Sequence, residues 1–475
     1  MIDSTTKTSP RSARPVVNPS AWQIVRAFFV PKAIWILLVW AGINSGPGVW
    51  ESFPENGRQM IHSLRTGLPF IAFLVGLRFF VKLPVAFSGP IRLWLFYGYI
   101  GMLATIMSPI PSFAFYWALN YLAVFAGLGI YLKDSRLNTA RDLNYLSWGI
   151  TFGILIVMVF VARDVLFVGS DGHLTSYGIH VRVGEVGGML ISRASGFARF
   201  AAVPAVASFV MFWGGNLRRK VIGACIFVPS ALLVWFMQSR GAIFGLAFAM
   251  CFVVICLGQR SRWLGLFGAT FCAIFLWTDA GSQKWINYLY DHISRGQAVE
   301  EIVSMTGRDR AWHNAWPEIF ANPILGQGFQ ADRLTIDEHV HNTYMYALMT
   351  GGFLGAGLFC LGLVWAWYLF WLAWRKDWGR QMGQHDHIVQ VGGVLAFFTV
   401  RSIPEVSGAY YSIDQFLMVP AIAYLTILCR VAAIKDETNE KKYKRYKPNP
   451  NFRFRGQHGR YPFYHKVARR TDTAV

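Results

Sequence analysis

Long uninterrupted apolar runs, separated by short polar and basic segments, dominate this sequence. Of its 475 residues, 54% are hydrophobic and 15% are charged. The runs extend over roughly 16 to 30 residues, which is the length that a helix needs to cross a bilayer. Because backbone polar groups in hydrocarbon must be satisfied within their own segment, such runs can only be helices. The sequence therefore predicts an all-α, polytopic membrane protein.

Charge and hydropathy divide the chain into five parts. A basic N-terminus (residues 1–32) precedes nine spans within 33–278, and a large, partly helical polar loop follows over 279–341. Three further spans lie within 342–434, and a basic tail covers 435–475. About twelve spans are predicted, near residues 33–49, 63–80, 91–107, 113–132, 145–168, 200–213, 220–238, 240–258, 262–278, 343–373, 388–402 and 414–433.

The positions of Lys and Arg set the predicted orientation, because basic residues are enriched in cytoplasmic segments. With both termini inside, most of the 45 basic residues fall on the cytoplasmic side, and the 279–341 loop faces outward. The net charge of +20 then reflects topology and a cytoplasmic tail attracted to anionic membrane lipids. It does not indicate nucleic acid as a partner. A tail that docks a cytoplasmic protein is the alternative.

Most basic residues on the predicted outer side are arginines, whose forked donors match phosphate oxygens two at a time. Arg240 stands out, because SRGAIFG (239–245) places it at the start of a span with almost no preceding loop. A guanidinium there is costly unless it meets an anion or a carboxylate. Arg193 and Arg199, in SRASGFARF (192–200), precede a helix whose N-terminus favours anions. Ion pairs within the protein are the alternative for each arginine.

The polar loop has helical character of its own. RAWHNAWPEIFANP (310–323) and KWINYLYDHISR (284–295) carry aromatic and aliphatic residues at helical spacing. Both predict amphipathic helices that lie on the bilayer surface. NPILGQGF (322–329) follows as a turn in which glycines allow unusual backbone angles.

His341 is the strongest candidate for a catalytic residue. It lies in EHVHN (338–342) at the point where the loop re-enters the membrane, with Asn342 or Thr343 as cap of the next helix. A helix N-terminus disfavours imidazolium, so a neutral, proton-accepting His341 is expected. Replacement of His339 is expected to be tolerated.

Metal and cofactor chemistry have little support in the sequence. The HxH pattern at 339–341 supplies two ligands of the three or four that a zinc site needs. The six cysteines all lie inside apolar runs, which predicts packing rather than disulfides or metal binding. The sequence contains no DxD motif and no glycine-rich phosphate loop, and no pair of carboxylates is spaced for glycosidase work. No metal and no cofactor are therefore predicted.

Several of these motifs together resemble the O-antigen ligase and polymerase superfamily, bacterial membrane glycosyltransferases that act on undecaprenyl-diphosphate-linked glycans. The motifs are SRGA at a span start, TGR (306–308), a Trp-containing helix, PILGQG (323–328), and HN leading into GGFLG (351–355). The resemblance covers about 190–360. It implies Arg240, Arg308 and His341 as catalytic residues, Arg193 as a weaker match and Asn342 as a supporting polar residue. Together with Arg199, which precedes a helix N-terminus, Arg193 and Asn342 are the predicted substrate-binding residues.

The resemblance also implies a metal-independent, inverting glycosyl transfer at the periplasmic face of the bacterial inner membrane. The donor would be an undecaprenyl-diphosphate-linked oligosaccharide, and the acceptor a sugar or a lipid core. Polysaccharide export machinery is an expected partner. A polymerase of exopolysaccharide or O-antigen repeat units is the preferred interpretation, and a ligase that joins finished O-antigen to lipid A-core is the alternative. A flippase of the lipid-linked sugar is more distant, because the ionisable residues cluster at the outer ends of the spans rather than in mid-membrane.

Overall fold

Helices make up all the regular secondary structure in the described part of the chain. The computed structural model describes residues 21–43, 55–161, 194–214, 216–237, 239–258 and 308–445. The helices are α1 (Ala21–Ile43), α2 (Glu55–Val81), α3 (Pro90–Leu103), α4 (Pro111–Tyr131), α5 (Leu137–Val161), α6 (Ala194–Gly214), α7 (Leu217–Phe236), α8 (Arg240–Leu257), α9 (Arg308–Ala321), α10 (Ala331–Thr335), α11 (Thr343–Arg375), α12 (Trp378–Gln381), α13 (His385–Arg401) and α14 (Ile413–Arg445).

Six of the described helices are long and apolar enough to cross a membrane. They lie within Pro90–Met107, Pro111–Tyr131, Leu217–Phe236, Arg240–Leu257, Thr343–Arg375 and Ile413–Thr438, and three shorter apolar helices accompany them. The chain is therefore an integral membrane protein. The total of about twelve spans stays a prediction, and the span predicted at 262–278 lies outside the described residues.

The chain divides into two compact units, Met1–Cys429 and Arg430–Val475. In the first unit, α4 and α14 form much of the interior, whereas α7 lies at the periphery with few of its residues buried. α13 packs against α8 and α6, and α3 packs against α11. Trp94 of α3 stacks on Phe359 of α11 at a centroid distance of 4.8 Å. The described part of the second unit consists of the last turns of α14.

Helix α11 is interrupted at Gly352, whose backbone (φ 59°, ψ −165°) is not helical. The segment 322–330 fills this break with its own backbone groups. The Phe353 amide donates to the Pro323 carbonyl at 2.7 Å, and the Gln327 amide donates to the Met349 carbonyl at 2.8 Å. A Cβ added to Gly352 would lie 2.3 Å from the Ile324 carbonyl oxygen. PILGQG and GGFLG are therefore two halves of one packing motif, in which only glycine fits at residue 352.

Residues 308–332 form what we call the re-entrant hairpin. Trp312 of α9 donates to the Val340 carbonyl at 2.6 Å, just before α11, whereas Ile324 accepts from the Leu354 amide at 3.3 Å. From Thr343 to Gly351, before the break, the helix advances roughly 12 Å. α9 thus packs alongside the first part of α11. Its predicted position on the bilayer surface stays a prediction.

Candidate active site

His341 occupies a strained backbone position immediately before α11. Its φ of 45° lies in the left-handed region, which costs energy for any residue that carries a Cβ. Neighbours on both sides hold it there: Trp312 and Asp332 bind the backbone of Val340, and the Thr343 amide donates to the Ser402 carbonyl at 3.0 Å. Strain of this kind is characteristic of functional positions.

Asn342 caps α11, as predicted. Its side-chain oxygen accepts hydrogen bonds from the amides of Tyr344 at 2.9 Å and Met345 at 3.0 Å. Its amide nitrogen donates to the Ile403 carbonyl at 3.0 Å. Asn342 thus joins the start of α11 to the segment 402–412 between α13 and α14, while its predicted role in substrate binding stays a prediction.

Glu405, in the 402–412 segment, connects the predicted base to a predicted arginine. Its Oε1 accepts from Arg308 Nη2 at 2.9 Å, and its Oε2 lies 3.2 Å from His341 Nδ1. Burial would raise the pKa of this carboxyl, but the hydrogen bond with His341 and the charges of Arg401, His341 and Arg308 lower the pKa to about 2. Glu405 is therefore an anion that orients the His341 ring and leaves Nε2 open to a substrate.

Thr343 fixes the position of Glu405. Its hydroxyl donates to the Glu405 carbonyl at 2.9 Å and accepts from the Ser407 amide at 2.8 Å. Both contacts act on the backbone that flanks the carboxylate. The first turn of α11 therefore positions the base and the anion that orients it.

Arg240 approaches the same segment from α8. It is the first residue of that helix, as predicted, and the Cβ position of Gly241 lies 3.1 Å from Pro404 Cγ. The positive charge of Arg308 acts on Arg240. Two guanidinium groups near one another repel unless an anion lies between or beside them. Together they suit a ligand that carries more than one negative charge.

Arg199 belongs to a neighbouring ion network. Its Nη1 lies 3.4 Å from Asp414 Oδ1, while the other oxygen of Asp414 accepts from Arg401 Nη1 at 2.6 Å. Arg401 also donates to the Ser407 hydroxyl at 3.0 Å. The Asp414 side chain is fully buried, so this network has the character of a structural support. A substrate-binding role for Arg199 stays a prediction, and Arg193 lies outside the described residues.

His339 has a carboxylate partner of its own. Its Nδ1 lies 2.6 Å from Oδ2 of Asp332, a residue with no exposed surface, and the Val340 amide donates to the same oxygen at 3.3 Å. The rings of His339 and His341 meet edge to face at a centroid distance of 4.5 Å. This geometry does not support the expectation that His339 can be replaced freely, because its partner also anchors the backbone before His341.

The potential metal ligands near the site do not gather into one cluster. Each histidine engages a different carboxylate through Nδ1. Within the described residues, no group of three or more His, Cys, Asp or Glu side chains is arranged to hold a metal ion.

Several arginines lie around Glu405 in the described part of the chain. Arg308 contacts Glu405 directly, Arg401 acts on it through its charge and pairs with Asp414, Arg199 pairs with Asp414 as well, and Arg240 feels the charge of Arg308. The arrangement therefore brings together a histidine, a carboxylate that orients it and guanidinium groups suited to an anionic ligand. A histidine in this position is suited to accept a proton from a hydroxyl next to a bound anionic group.

Sequence reasoning missed Glu405 and Asp332. The signal for Glu405 was a carboxylate next to proline in RSIPEVSG (401–408), within the segment after span eleven. Asp332 lies seven positions before His339. Neither residue shows in sequence which histidine it contacts.

The fold defines a helical integral membrane protein, and His341, Glu405 and Arg308 form its candidate site. A family model described as O-antigen ligase matches residues 225–360, and this match confirms the resemblance to the O-antigen ligase and polymerase superfamily. The matched segment contains Arg240, Arg308, His341 and Asn342, and it ends before Glu405. No curated protein matches the chain.

Proposed function

We propose that this protein is a membrane glycosyltransferase that moves glycan from undecaprenyl diphosphate onto a sugar hydroxyl. The observation that carries the proposal is the His341–Glu405–Arg308 arrangement, with contacts of 3.2 Å and 2.9 Å. The O-antigen ligase match over 225–360 supports the reaction class.

In the proposed reaction, His341 Nε2 accepts the proton of the acceptor hydroxyl while its oxygen attacks the anomeric carbon. The bond from that carbon to the diphosphate oxygen breaks, and its electron pair leaves with the diphosphate. This single displacement inverts the anomeric configuration. Glu405 stabilises the imidazolium that forms, as a carboxylate partner does in other histidine-dependent sites.

The arginines would stabilise the departing diphosphate. Arg308 has five N–H donors, so its contact with Glu405 leaves others for phosphate oxygens, and its side chain is 26% exposed. Arg240 would bind the same diphosphate from α8. Because guanidinium groups supply the positive charge, metal independence is part of the proposal.

For the acceptor, we propose the growing end of an exopolysaccharide or O-antigen, so that the protein polymerises repeat units. The second candidate is ligation of the finished polysaccharide to lipid A-core, which the description of the matching family model favours. The glycan profile of a deletion strain separates them. Loss of a polymerase leaves single repeat units, whereas loss of a ligase leaves long chains on the lipid carrier.

The site is proposed to face the periplasm across the bacterial inner membrane, since the donor glycan is exported before transfer. Cysteine labelling of intact cells at residue 310 tests this orientation, because Arg310 is 77% exposed beside the site. Labelling only after membrane disruption would place the site on the cytoplasmic side and contradict the proposal.

A further inference from the structure

The re-entrant hairpin exposes an apolar surface that the proposed chemistry does not use. Trp316 and Phe320 of α9 are 44% and 63% exposed, and Ile324 in the turn is 69% exposed. The two aromatic rings stack at a centroid distance of 5.8 Å with 24° between their planes. Phe353 and Leu354 of α11 continue this surface at 54% and 49% exposure. We call these five side chains the apolar track.

The exposed side of α9 changes character along the helix axis. Its first turns expose Asp309, Arg310 and His313, whereas its last turns expose Trp316 and Phe320. A helix that lies on a bilayer separates polar from apolar residues by face, along its whole length. A gradient from one end to the other instead matches a ligand with a charged head and an apolar tail.

The apolar track leads away from the arginine site. At a rise of 1.5 Å per residue, Trp316 lies roughly 12 Å and Phe320 roughly 18 Å along α9 from Arg308. The track then joins α11 directly, because the Leu354 amide donates to the Ile324 carbonyl at 3.3 Å. α11 is one of the helices apolar enough to cross a membrane. The track therefore leads from the helix that begins at Arg308 to a helix apolar enough to cross a membrane.

We propose that the apolar track binds the isoprenoid chain of the lipid-linked donor, next to the diphosphate held by Arg308 and Arg240. The inference rests on the proposed function and adds the residues that would recognise the carrier. Bulk phospholipid would account for exposed residues on α11, as on any span. The carrier is favoured because the track continues onto α9, a helix that begins at Arg308 of the site. An isoprenoid chain whose diphosphate is held by the arginines would extend along the apolar track from Trp316 toward Leu354.

The test compares two donors that carry the same glycan, one on undecaprenyl diphosphate and one on geranyl diphosphate. Full-length protein in nanodiscs transfers each donor to a fixed acceptor. The double variant Trp316→Gln, Phe320→Gln is expected to raise the KM for the undecaprenyl donor about tenfold, the factor that corresponds to ~1.4 kcal/mol. The KM for the geranyl donor and both kcat values should stay unchanged, because the short chain ends before these rings.

Phe70→Gln is the matched control, since Phe70 is a similarly exposed phenylalanine, at 49%, on α2. It should leave the KM of both donors unchanged. An equal rise for both donors in the double variant, no change for either, or the same change in Phe70→Gln would overturn the proposal and leave bulk lipid as the occupant.

A second measurement does not depend on turnover. Undecaprenyl diphosphate with a photoreactive group on its chain is expected to label the peptide that contains Trp316, Phe320 and Ile324, and unlabelled undecaprenyl diphosphate should compete while phospholipid should not. Labelling elsewhere, or competition by phospholipid, would overturn the inference. If this labelling succeeds but neither donor reacts, the proposed function fails while the binding site stands.

Discussion

Glu405 Oε2 lies 3.2 Å from His341 Nδ1, although the two residues are 64 positions apart in the chain. The same carboxylate accepts a hydrogen bond from Arg308. One partly buried anion therefore orients the proposed base and one of the arginines proposed to hold the leaving group. Replacements at these positions should affect transfer far more than replacements of equally polar neighbours.

His341→Gln should lower kcat by about a hundredfold to ten-thousandfold, the usual contribution of a general base. Donor binding should change little, because the arginines remain. His313→Gln is the control, since His313 is exposed on α9 and faces no site residue in the contacts described above. Transfer assays with purified protein give both values. Full activity of the His341 variant would remove this residue as the base.

Arg308→Lys and Arg240→Lys keep the charge but lose the planar fork. We expect each to reduce kcat/KM by at least about tenfold, as loss of a forked phosphate contact would. Arg310→Lys should have no effect, because the Arg310 side chain is 77% exposed and its ion pair with Glu338 is long, at 3.9 Å. Arg193→Lys should be milder than the first two. Wild-type kinetics in both Arg308→Lys and Arg240→Lys would indicate ion-pair roles instead.

Glu405→Gln should reduce kcat by at least about tenfold, because it removes the anion that orients and stabilises His341. It should also change the pH dependence of stability. The pKa of Glu405 is lowered from 4.5 to about 2, so its stabilisation is complete above pH 4.5 and is lost as the pH falls toward 2.

The melting temperature of Glu405→Gln should therefore lie below that of the wild type at neutral pH, and the difference should shrink as the pH falls from 4.5. Thermal unfolding in detergent between pH 7 and pH 3 measures this. Glu338→Gln is the control, since that carboxylate is 38% exposed. A difference in melting temperature that is independent of pH would contradict the assignment.

Asp332→Asn should lower the free energy of unfolding by about 2 kcal/mol, the typical contribution of a buried hydrogen bond to a charged group. Activity should fall as well, because Asp332 anchors Val340 immediately before the strained His341. His339→Asn should be milder than His339→Ala, since its amide can still donate to Asp332. An active, fully stable Asp332→Asn protein would show that other contacts suffice to hold His341.

Transfer by the purified protein should continue in a strong chelator, because guanidinium groups stabilise the leaving diphosphate in the proposed reaction. Parallel assays with excess chelator and with added magnesium or manganese measure this. Loss of activity that these ions restore would direct attention to His339 and His341, whose rings are 4.5 Å apart, as metal ligands.

Most helix positions could be predicted because the signal is local. Each predicted span in the described part of the chain overlaps a helix; the run predicted at 240–258, for instance, corresponds to α8, Arg240–Leu257. The cap at Asn342 was predictable for the same reason. The pairing of His341 with Glu405 was not, because nothing in either segment records which residues meet across the bundle.

The contacts of α9 with the rest of the chain could not be predicted from the sequence either. Its aromatic residues at helical spacing favoured a helix on the bilayer surface, but spacing alone does not show what each face contacts. Trp312 turned out to bind the Val340 carbonyl, while Trp316 and Phe320 are exposed. Hydrogen bonds between the backbones of 323–324 and 353–354 hold the segment after α9 against α11. The glycines in this region predicted unusual backbone angles, but they did not predict which segments would pair.

The interruption at Gly352 has a consequence for biogenesis. A span broken in this way leaves amide and carbonyl groups that cannot form hydrogen bonds with hydrocarbon. Here the Pro323–Gly328 backbone forms hydrogen bonds with them. The ribosome makes that segment first, so it is available when α11 is inserted into the bilayer. Stable insertion of α11 and assembly of the His341 environment are thus coupled, and a nascent chain that stalls before residue 354 completes neither.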